Sequence, residues 1–379
     1  MKKLAIIGAS YLQAPLIQKA KDMGIETHTF AWAANDVGET LSDHFYPISI
    51  VEKEAILEKC REIGIDGICS ISSDLAMQAV NYIAAQMHLT GNTLESTLVS
   101  TNKHCMRDRF RLCGDPSPAS FMVSTAAEAA RLPLSYPVIV KPLDRSGSRG
   151  ITKLSDPAGL ESAILRAQEE GFDKHALVEE FAEGDEYSVE YISWRGKHEF
   201  LAMTKKFTTG APSFIETGHI QPAGVDPATL ERVKAVISHA LDSLEIEYGA
   251  SHSEVKIDGS GRIMIIEIGG RMGGDFIGSH LVQLSTGFDF LKGVVDIALG
   301  NEPDMTRGPH YAAAAVRYVA GMEDYRALTG MKASGSLNVI CSDLRNKPDH
   351  VVKDSATRCG YLVAGFDSIG DANAFIRKT

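Results

Sequence analysis

The stretch Ser253-Glu254-Val255-Lys256-Ile257-Asp258-Gly259-Ser260-Gly261-Arg262-Ile263-Met264-Ile265-Ile266-Glu267-Ile268-Gly269-Gly270-Arg271-Met272-Gly273-Gly274-Asp275 decides the fold. It reads as two short strands joined by an Asp-Gly-Ser-Gly turn, a hairpin signal. With residues 258–261 as the loop, Ile257 faces Arg262 and Glu254 faces Ile265. Glu267 then lies on the same face as Glu254, on the diagonal, roughly 7–8 Å away. A loop one residue longer predicts the two carboxylates on opposite faces. Glu267 interrupts the apolar run Ile263–Ile268, where an unpaired carboxylate is expensive to bury. Two carboxylates converging beside a Gly-rich loop and Arg271 suggest a divalent cation holding a polyphosphate.

Upstream of this hairpin, residues 1–95 read as a small α/β unit in which strands alternate with helices. Leu4–Ile7 is a strand leading into Gly8-Ala9-Ser10, and Ala14–Met23 is a helix ended by Gly24. Thr27–Phe30 is a second strand, Val51–Ile63 a second helix, Gly67–Ile71 a third strand and Leu75–Met87 a third helix. The glycines of a dinucleotide fingerprint are incomplete at Gly8, and no acidic residue ends the second strand, which argues against NAD. Thr97–Leu112 carries a Ser/Thr cluster and then a basic helix starting at Lys103. Strands at Ala119–Val123, Val138–Pro142, Ile151–Leu154 and Ala176–Phe181, with helices at Ala126–Arg131 and Pro157–Glu170, form the next part. Glu186–Ile192 alternates as a strand should. The tail from about residue 303, with strands at Ala312–Val319, Gly335–Ile340 and Tyr361–Ala364, reads as a closing substructure without chemistry of its own.

The 379 residues exceed one ordinary core, so two or three domains are expected. With 38 Lys and Arg against 49 Asp and Glu, the formal net charge of -11 argues against nucleic acid as the main partner. The 6 cysteines include no C-x-x-C pair, so neither a zinc pattern nor a disulfide framework is read from them. Met1-Lys2-Lys3 runs into an apolar segment too short for a signal sequence or a membrane span, and a cytoplasmic protein is expected.

Two further segments carry chemistry. Ser146-Gly147-Ser148-Arg149-Gly150 offers backbone N–H groups, hydroxyls and a cation for phosphate oxygens, although a plain Gly/Ser turn explains it as well. Lys141, ending an apolar strand, adds a point charge for a phosphate. No G-x-x-x-x-G-K-[ST] occurs, which excludes a P-loop NTPase. Glu179-Glu180-Phe181-Ala182-Glu183-Gly184-Asp185-Glu186 is either a solvated turn or a hinge, with backbone groups of 180–182 for an adenine edge and Glu186 for ribose hydroxyls.

Taken in order, these parts resemble the ATP-grasp superfamily from residue 4 to about residue 300. The resemblance rests on the α/β pre-domain, the helix at Lys103, Tyr136–Pro142, the Ser-Gly-Ser-Arg-Gly loop and Leu177–Phe181. The Glu254…Glu267…Arg271 hairpin and Thr286-Gly287-Phe288-Asp289-Phe290-Leu291 complete it. Within the superfamily, Glu216-Thr217-Gly218-His219-Ile220-Gln221-Pro222 and the spacing of Glu254, Glu267 and Arg271 resemble the L-amino-acid ligase and dipeptide synthase branch. Two positions depart from the common pattern. Gly269 stands where many members carry a metal-binding Asn, and Asn102 where an Asp is common. The first departure puts a third protein ligand to a second magnesium in doubt.

The resemblance implies a mixed α/β and α+β fold: a Rossmann-like pre-ATP-grasp domain over 1–95 and an N-terminal ATP-grasp part over 96–190, with a lid subdomain at about 119–180. A catalytic part over 191–302 and a strand-rich tail over 303–379 follow. It implies ATP and Mg²⁺, with Mn²⁺ as an alternate ion, and small-molecule carboxylate and amine substrates. No nucleic acid or membrane is implied, and a homodimer stays open. Lys103, Lys141, Ser146, Gly147 and Ser148 would contact ATP phosphates; Glu179, Glu180, Ala182 and Glu186 would contact the nucleoside. Glu254 and Glu267 would hold the metal. Arg271 and His219 are the expected catalytic residues; they also belong to the expected substrate site, with Glu216, Gly270 and Gly274. A salt bridge to Glu267 competes with the catalytic reading of Arg271, and an ordinary loop histidine with that of His219. The implied reaction joins a carboxylate to an amine through an acylphosphate. The alternatives are a purine-pathway or carboxylase-type relative, and a nucleotide-binding regulator.

Overall fold

Leu4, Ala5, Ile6 and Ile7 are fully buried, and their alternation feeds two different cores. That is the signature of a strand covered on both faces. In the computed structural model, which describes residues 1–144, 150–210 and 214–377, this strand is β1 (Lys3–Ile7). It pairs in parallel with β2 (Glu26–Phe30) and β4 (Gly67–Cys69), and β2 pairs in parallel with β3 (His44–Tyr46). The sheet order is β3-β2-β1-β4. Leu4, Ile6, Leu16 and Ile17 share a core with Phe288, Phe290, Val294 and Val295, so the first unit is packed onto the helix Phe290–Ala298. Gly67 lets the backbones meet: a Cβ there would fall 2.3 Å from the Ala298 carbonyl oxygen.

The second sheet, in the order β5-β8-β6-β7, is antiparallel and comprises β5 (Ser120–Val123), β6 (Val138–Pro142), β7 (Thr152–Leu154) and β8 (Ala176–Glu180). Ala163, Ile164 and Ala167 of the helix Leu160–Glu170 cover Val138, Val140 and Val178.

The third sheet is a single antiparallel layer of eight strands. β9 (Asp185–Trp194), β10 (Lys197–Thr208), β11 (Glu216–Gln221), β12 (Tyr248–Ile257), β13 (Ile263–Gly269), β14 (Ala313–Tyr318), β15 (Asn338–Asp343) and β16 (Tyr361–Phe366) take the order β13-β12-β9-β10-β11-β14-β16-β15. Alternation sorts its faces. Tyr187, Val189, Tyr191, Val255 and Ile265 pack under Val233, Ile237 and Leu241 of the helix Pro227–Ser243. Glu186, Glu190, His252 and Glu254 occupy the intervening positions of β9 and β12.

The basic helix expected to start at Lys103 runs over Lys103–Cys113, and the Ser/Thr cluster before it belongs to a separate helix, Leu94–Thr101. Asn102 separates them in extended conformation, and its side chain accepts from the His104 and Cys105 N–H groups. The Asn102 side-chain oxygen thus caps the second helix, at the position where the resemblance would have an Asp. The helix expected from Pro157 begins at Leu160, because Gly159 at its N-cap is left-handed. The tail, expected to be strands and turns, also holds the helices Met322–Ser334 and Ile369–Arg377, and its three strands continue the large sheet.

Candidate active site

The deciding hairpin differs from its expected register, and the difference brings its carboxylates together. Asp258 accepts hydrogen bonds from the N–H groups of Ser260 and Arg262, drawing Arg262 into the loop. The first ladder pair is Ile257 with Ile263, so the loop is one residue longer than expected. Continued regularly, that register would put Glu267 on the far face. A β-bulge at Ile266 restores it: Val255 pairs with Ile265, and Glu254 lies directly opposite Glu267. The Ile266 carbonyl receives Arg107 Nη2 at 2.6 Å.

Both carboxylates face a cavity of about 520 Å³ between the three sheets. Glu267 takes Lys103 Nζ at 2.7 Å, and Glu254 takes Lys206 Nζ at 2.5 Å. Lys206 also lies 2.9 Å from Glu186 and 3.9 Å from Glu216. Burial disfavours its ammonium, but the three carboxylates outweigh this and hold its pKa well above the ordinary lysine value. Lys206 was not among the expected site residues. On β10 it stands opposite His219 of β11, a pairing that only the folded sheet reveals. His252 and Glu190 were also missed: the fully buried Glu190 carboxylate bonds the His252 ring and, at 3.0 Å, the Gly273 N–H. Burial opposes the imidazolium of His252, yet Glu190 and Glu254 raise its pKa to about 9.

On the opposite wall, Glu179 binds Lys141 Nζ at 2.5 Å and Arg107 Nε at 3.0 Å. Burial pushes its carboxyl upward, but Arg107 and Lys141 prevail and hold it at about 2. The Glu179 side chain is thus enclosed by cations. The N–H groups of Glu180 and Phe181 donate to the carbonyls of Ala119 and Pro137, which narrows the expected adenine edge to the remaining backbone groups of 180–182. Glu180 and Ala182 line the cavity, as do Lys103, Lys141 and Glu186. Ser146, Gly147 and Ser148 lie outside the described residues.

Arg271 does not pair with Glu267. It forms a fork with Asp74, Nε to Oδ1 at 2.9 Å and Nη2 to Oδ2 at 2.8 Å. Asp74 opens the helix Asp74–Met87 of the first unit. Gly269 makes room for this: a Cβ there would fall 2.4 Å from Asp74 Oδ1. Gly274 lines the main cavity, whereas Gly270 does not and instead borders a neighbouring void of about 50 Å³.

Glu216 and His219 stand on β11, two strands from β9. His219 is fully buried, edge-on to Tyr318, with Nε2 3.7 Å from Asp275 and neither ring nitrogen hydrogen-bonded among the described residues. Burial lowers its pKa. Here the tail enters the site, contrary to the expectation that it only closes the fold. Arg358 grips Asp275 through two bonds of 2.9 and 2.7 Å and lies 3.7 Å above the Tyr318 ring, while Ser355 hydrogen-bonds Glu216. Burial disfavours the Asp275 carboxylate, but His219 and Arg358 hold its pKa well below the usual range.

Residues 134–279 match the family profile of the ATP-grasp domain. Alanine–anticapsin ligase of Bacillus subtilis is 24% identical over 288 residues, covering 69% of this chain and 61% of that protein. A crystal structure of L-amino acid ligase from Bacillus licheniformis superposes with a TM-score of 0.84 at 21% identity, covering 100% of this chain and 96% of that one. The ADP complex of N5-carboxyaminoimidazole ribonucleotide synthetase gives 0.80 at 16% identity, over 99% and 95% of the two chains. The first curated relatives are longer, with matches spanning about two thirds of their length or less: 67% and 61%. Among the described residues no helix is long and apolar enough to cross a membrane.

Proposed function

We propose, from the match of residues 134–279 to the ATP-grasp domain, that this chain is an ATP- and Mg²⁺-dependent ligase joining the carboxylate of one amino-acid-like substrate to the amine of another. The observation that carries the reading is the bulge-aligned pair Glu254 and Glu267, facing one cavity with Lys103, Lys141 and Arg271 on its walls. Their all-oxygen donor set suits a hard divalent cation, and Glu254 and Glu267 would hold it. When bound, magnesium offsets the charge of the phosphate oxygens. Lys103 and Lys141, each already buried, would supply the remaining positive charge to the phosphates.

In this reading a substrate carboxylate oxygen attacks the γ-phosphorus of ATP and ADP leaves, giving an acylphosphate. The acceptor amine then attacks the carbonyl carbon, phosphate leaves, and the amine loses a proton. Arg271, with Nε and Nη2 on Asp74 and Nη1 3.4 Å from the Met272 carbonyl, would hold the reacting carboxylate and stabilise the oxyanion that forms on it. His219, kept uncharged by burial, would receive the amine's proton on the acceptor side, between Glu216 and Asp275. The experiment is phosphate release from ATP and Mg²⁺ against L-amino acids singly and in pairs, with mass detection. Release that needs a pair, with a product equal in mass to both minus water, supports the ligase. Release with bicarbonate or a purine intermediate instead would move the chain to the carboxylase-type or purine-pathway reading, and binding without turnover to the regulatory one.

A further inference from the structure

Outside the walls of this cavity, the outer edge of the first sheet gathers three potential metal donors on one face. Glu26 and His28 are two residues apart on β2, so their side chains share a face. His44 is the direct cross-strand partner of His28 on the edge strand β3. The carboxylate oxygen Oε1 of Glu26 lies 3.0 Å from His28 Nε2 and 3.3 Å from His44 Nε2. All three ligand atoms fall within 4.8 Å of one another. Around a tetrahedral zinc with bonds of about 2.0–2.1 Å, donor atoms are separated by about 3.3 Å. The two separations from the Glu26 oxygen, 3.0 and 3.3 Å, are close to that value.

The second layer fits as well. His28 is buried, and its other ring nitrogen, Nδ1, is 3.2 Å from the Tyr46 hydroxyl. A ligating histidine is oriented in this manner, through a partner on the nitrogen that does not meet the metal. The His28 and His44 rings are stacked, 4.7 Å apart and 15° from parallel. One ion cannot lie in both ring planes in that stack, so binding requires one ring to turn. His44, with 51% of its side chain exposed, is free to do so about its Cβ–Cγ bond.

We propose that Glu26, His28 and His44 form a binding site for a borderline-soft divalent metal, zinc by donor type, with water completing its coordination. The site is separate from the hard-cation site read at Glu254 and Glu267 and does not depend on the ligase reading. Two nitrogens and one oxygen favour zinc over magnesium. Its consequence is mechanical: β3 has only three residues, and an ion held jointly by β2 and β3 clips this short edge strand to the sheet.

The test is a zinc titration of the intact protein against a colorimetric chelator, with saturating Mg²⁺ present to occupy oxygen-donor sites. One tightly held zinc per chain is expected. His44→Ala and Glu26→Gln alter partly exposed side chains and should each weaken zinc binding at least tenfold while leaving the circular dichroism spectrum unchanged. Zinc should also raise the melting temperature of the wild type and not that of His44→Ala. The proposal is overturned if no zinc is retained, or if His44→Ala retains it at wild-type affinity. It is overturned too if zinc is lost on Cys359→Ser instead, since Cys359 Sγ lies 3.7 Å from His350 Nε2 and offers a competing pair.

Discussion

Asp74 and Arg271, 197 positions apart in sequence, are joined by two hydrogen bonds of 2.9 and 2.8 Å. The arginine expected at the chemistry is therefore aimed by a residue of the first unit. Asp74→Ala should lower the turnover number about tenfold or more, the loss of about 1.4 kcal/mol of orientation, with the fold retained. Gly269→Ala should do the same by displacing Asp74, and the double variant should be no worse than Asp74→Ala alone. A double-mutant cycle on kcat checks this; additive losses would show that the two positions act separately.

Lys206 is a buried cation among Glu186, Glu216 and Glu254. Removing one partner of such a cluster leaves charge uncompensated, at a cost of about 3–5 kcal/mol. Lys206→Met should unfold at markedly lower urea concentration than the wild type. Added Mg²⁺ should recover more stability in the variant than in the wild type, because the freed carboxylates attract it. Equal magnesium effects in both proteins would count against these carboxylates as a cation site.

Glu254→Gln and Glu267→Gln should each remove Mg²⁺-dependent ATP turnover, by at least a hundredfold, with secondary structure intact. Each amide keeps the shape of the carboxylate but not its charge toward a divalent ion. Activity within a few-fold of wild type in either variant would refute the metal assignment for that residue.

Glu179 is held at about 2 in the folded chain, against an ordinary value of 4.5. Its folded pKa is depressed, so the stability it contributes is fully present above about pH 4.5 and is lost as the pH falls toward 2. That difference corresponds to about 3 kcal/mol. Glu179→Gln should be less stable than wild type at pH 7, and the gap should close between pH 4.5 and 2. Urea midpoints measured across that range test it; a constant gap would mean that packing, not charge, is what the glutamate supplies.

Much of the fold was legible because local rules governed it. The fully apolar Leu4–Ile7, the Gly24 stop and the alternation of Glu186–Ile192 all report on neighbours one or two residues away. The hairpin register was not legible. It turns on Asp258 capturing the Arg262 N–H and on an unpaired Ile266, events whose energies depend on the assembled ladder. The partners of the expected charged residues were also hidden. Glu267 finds Lys103, and Arg271 finds Asp74, across separations of 164 and 197 residues. Sequence supplies the charges, and only the packing of three sheets decides which meet. The misjudged tail has the same cause, since Arg358 looks like any surface arginine until β14 and β16 bring it against Asp275.

The continuity of the large sheet sets limits on how the chain can be cut. β11, which carries Glu216 and His219, lies between β10 and β14, and β14 comes from the tail. A protein truncated at residue 302 would leave β11 as a bare edge whose exposed N–H and C=O groups template pairing with other chains. The cavity beside Glu216 and His219 would open to water at the same stroke, because Ser355 and Arg358 are among its walls. Trimming residues 303–379, the last fifth of this molecule, would thus strip walls from the cavity and leave an aggregation-prone half-sheet. A fragment meant for crystallography or engineering must keep β14 to β16 even where the residues matched to the domain family end at 279.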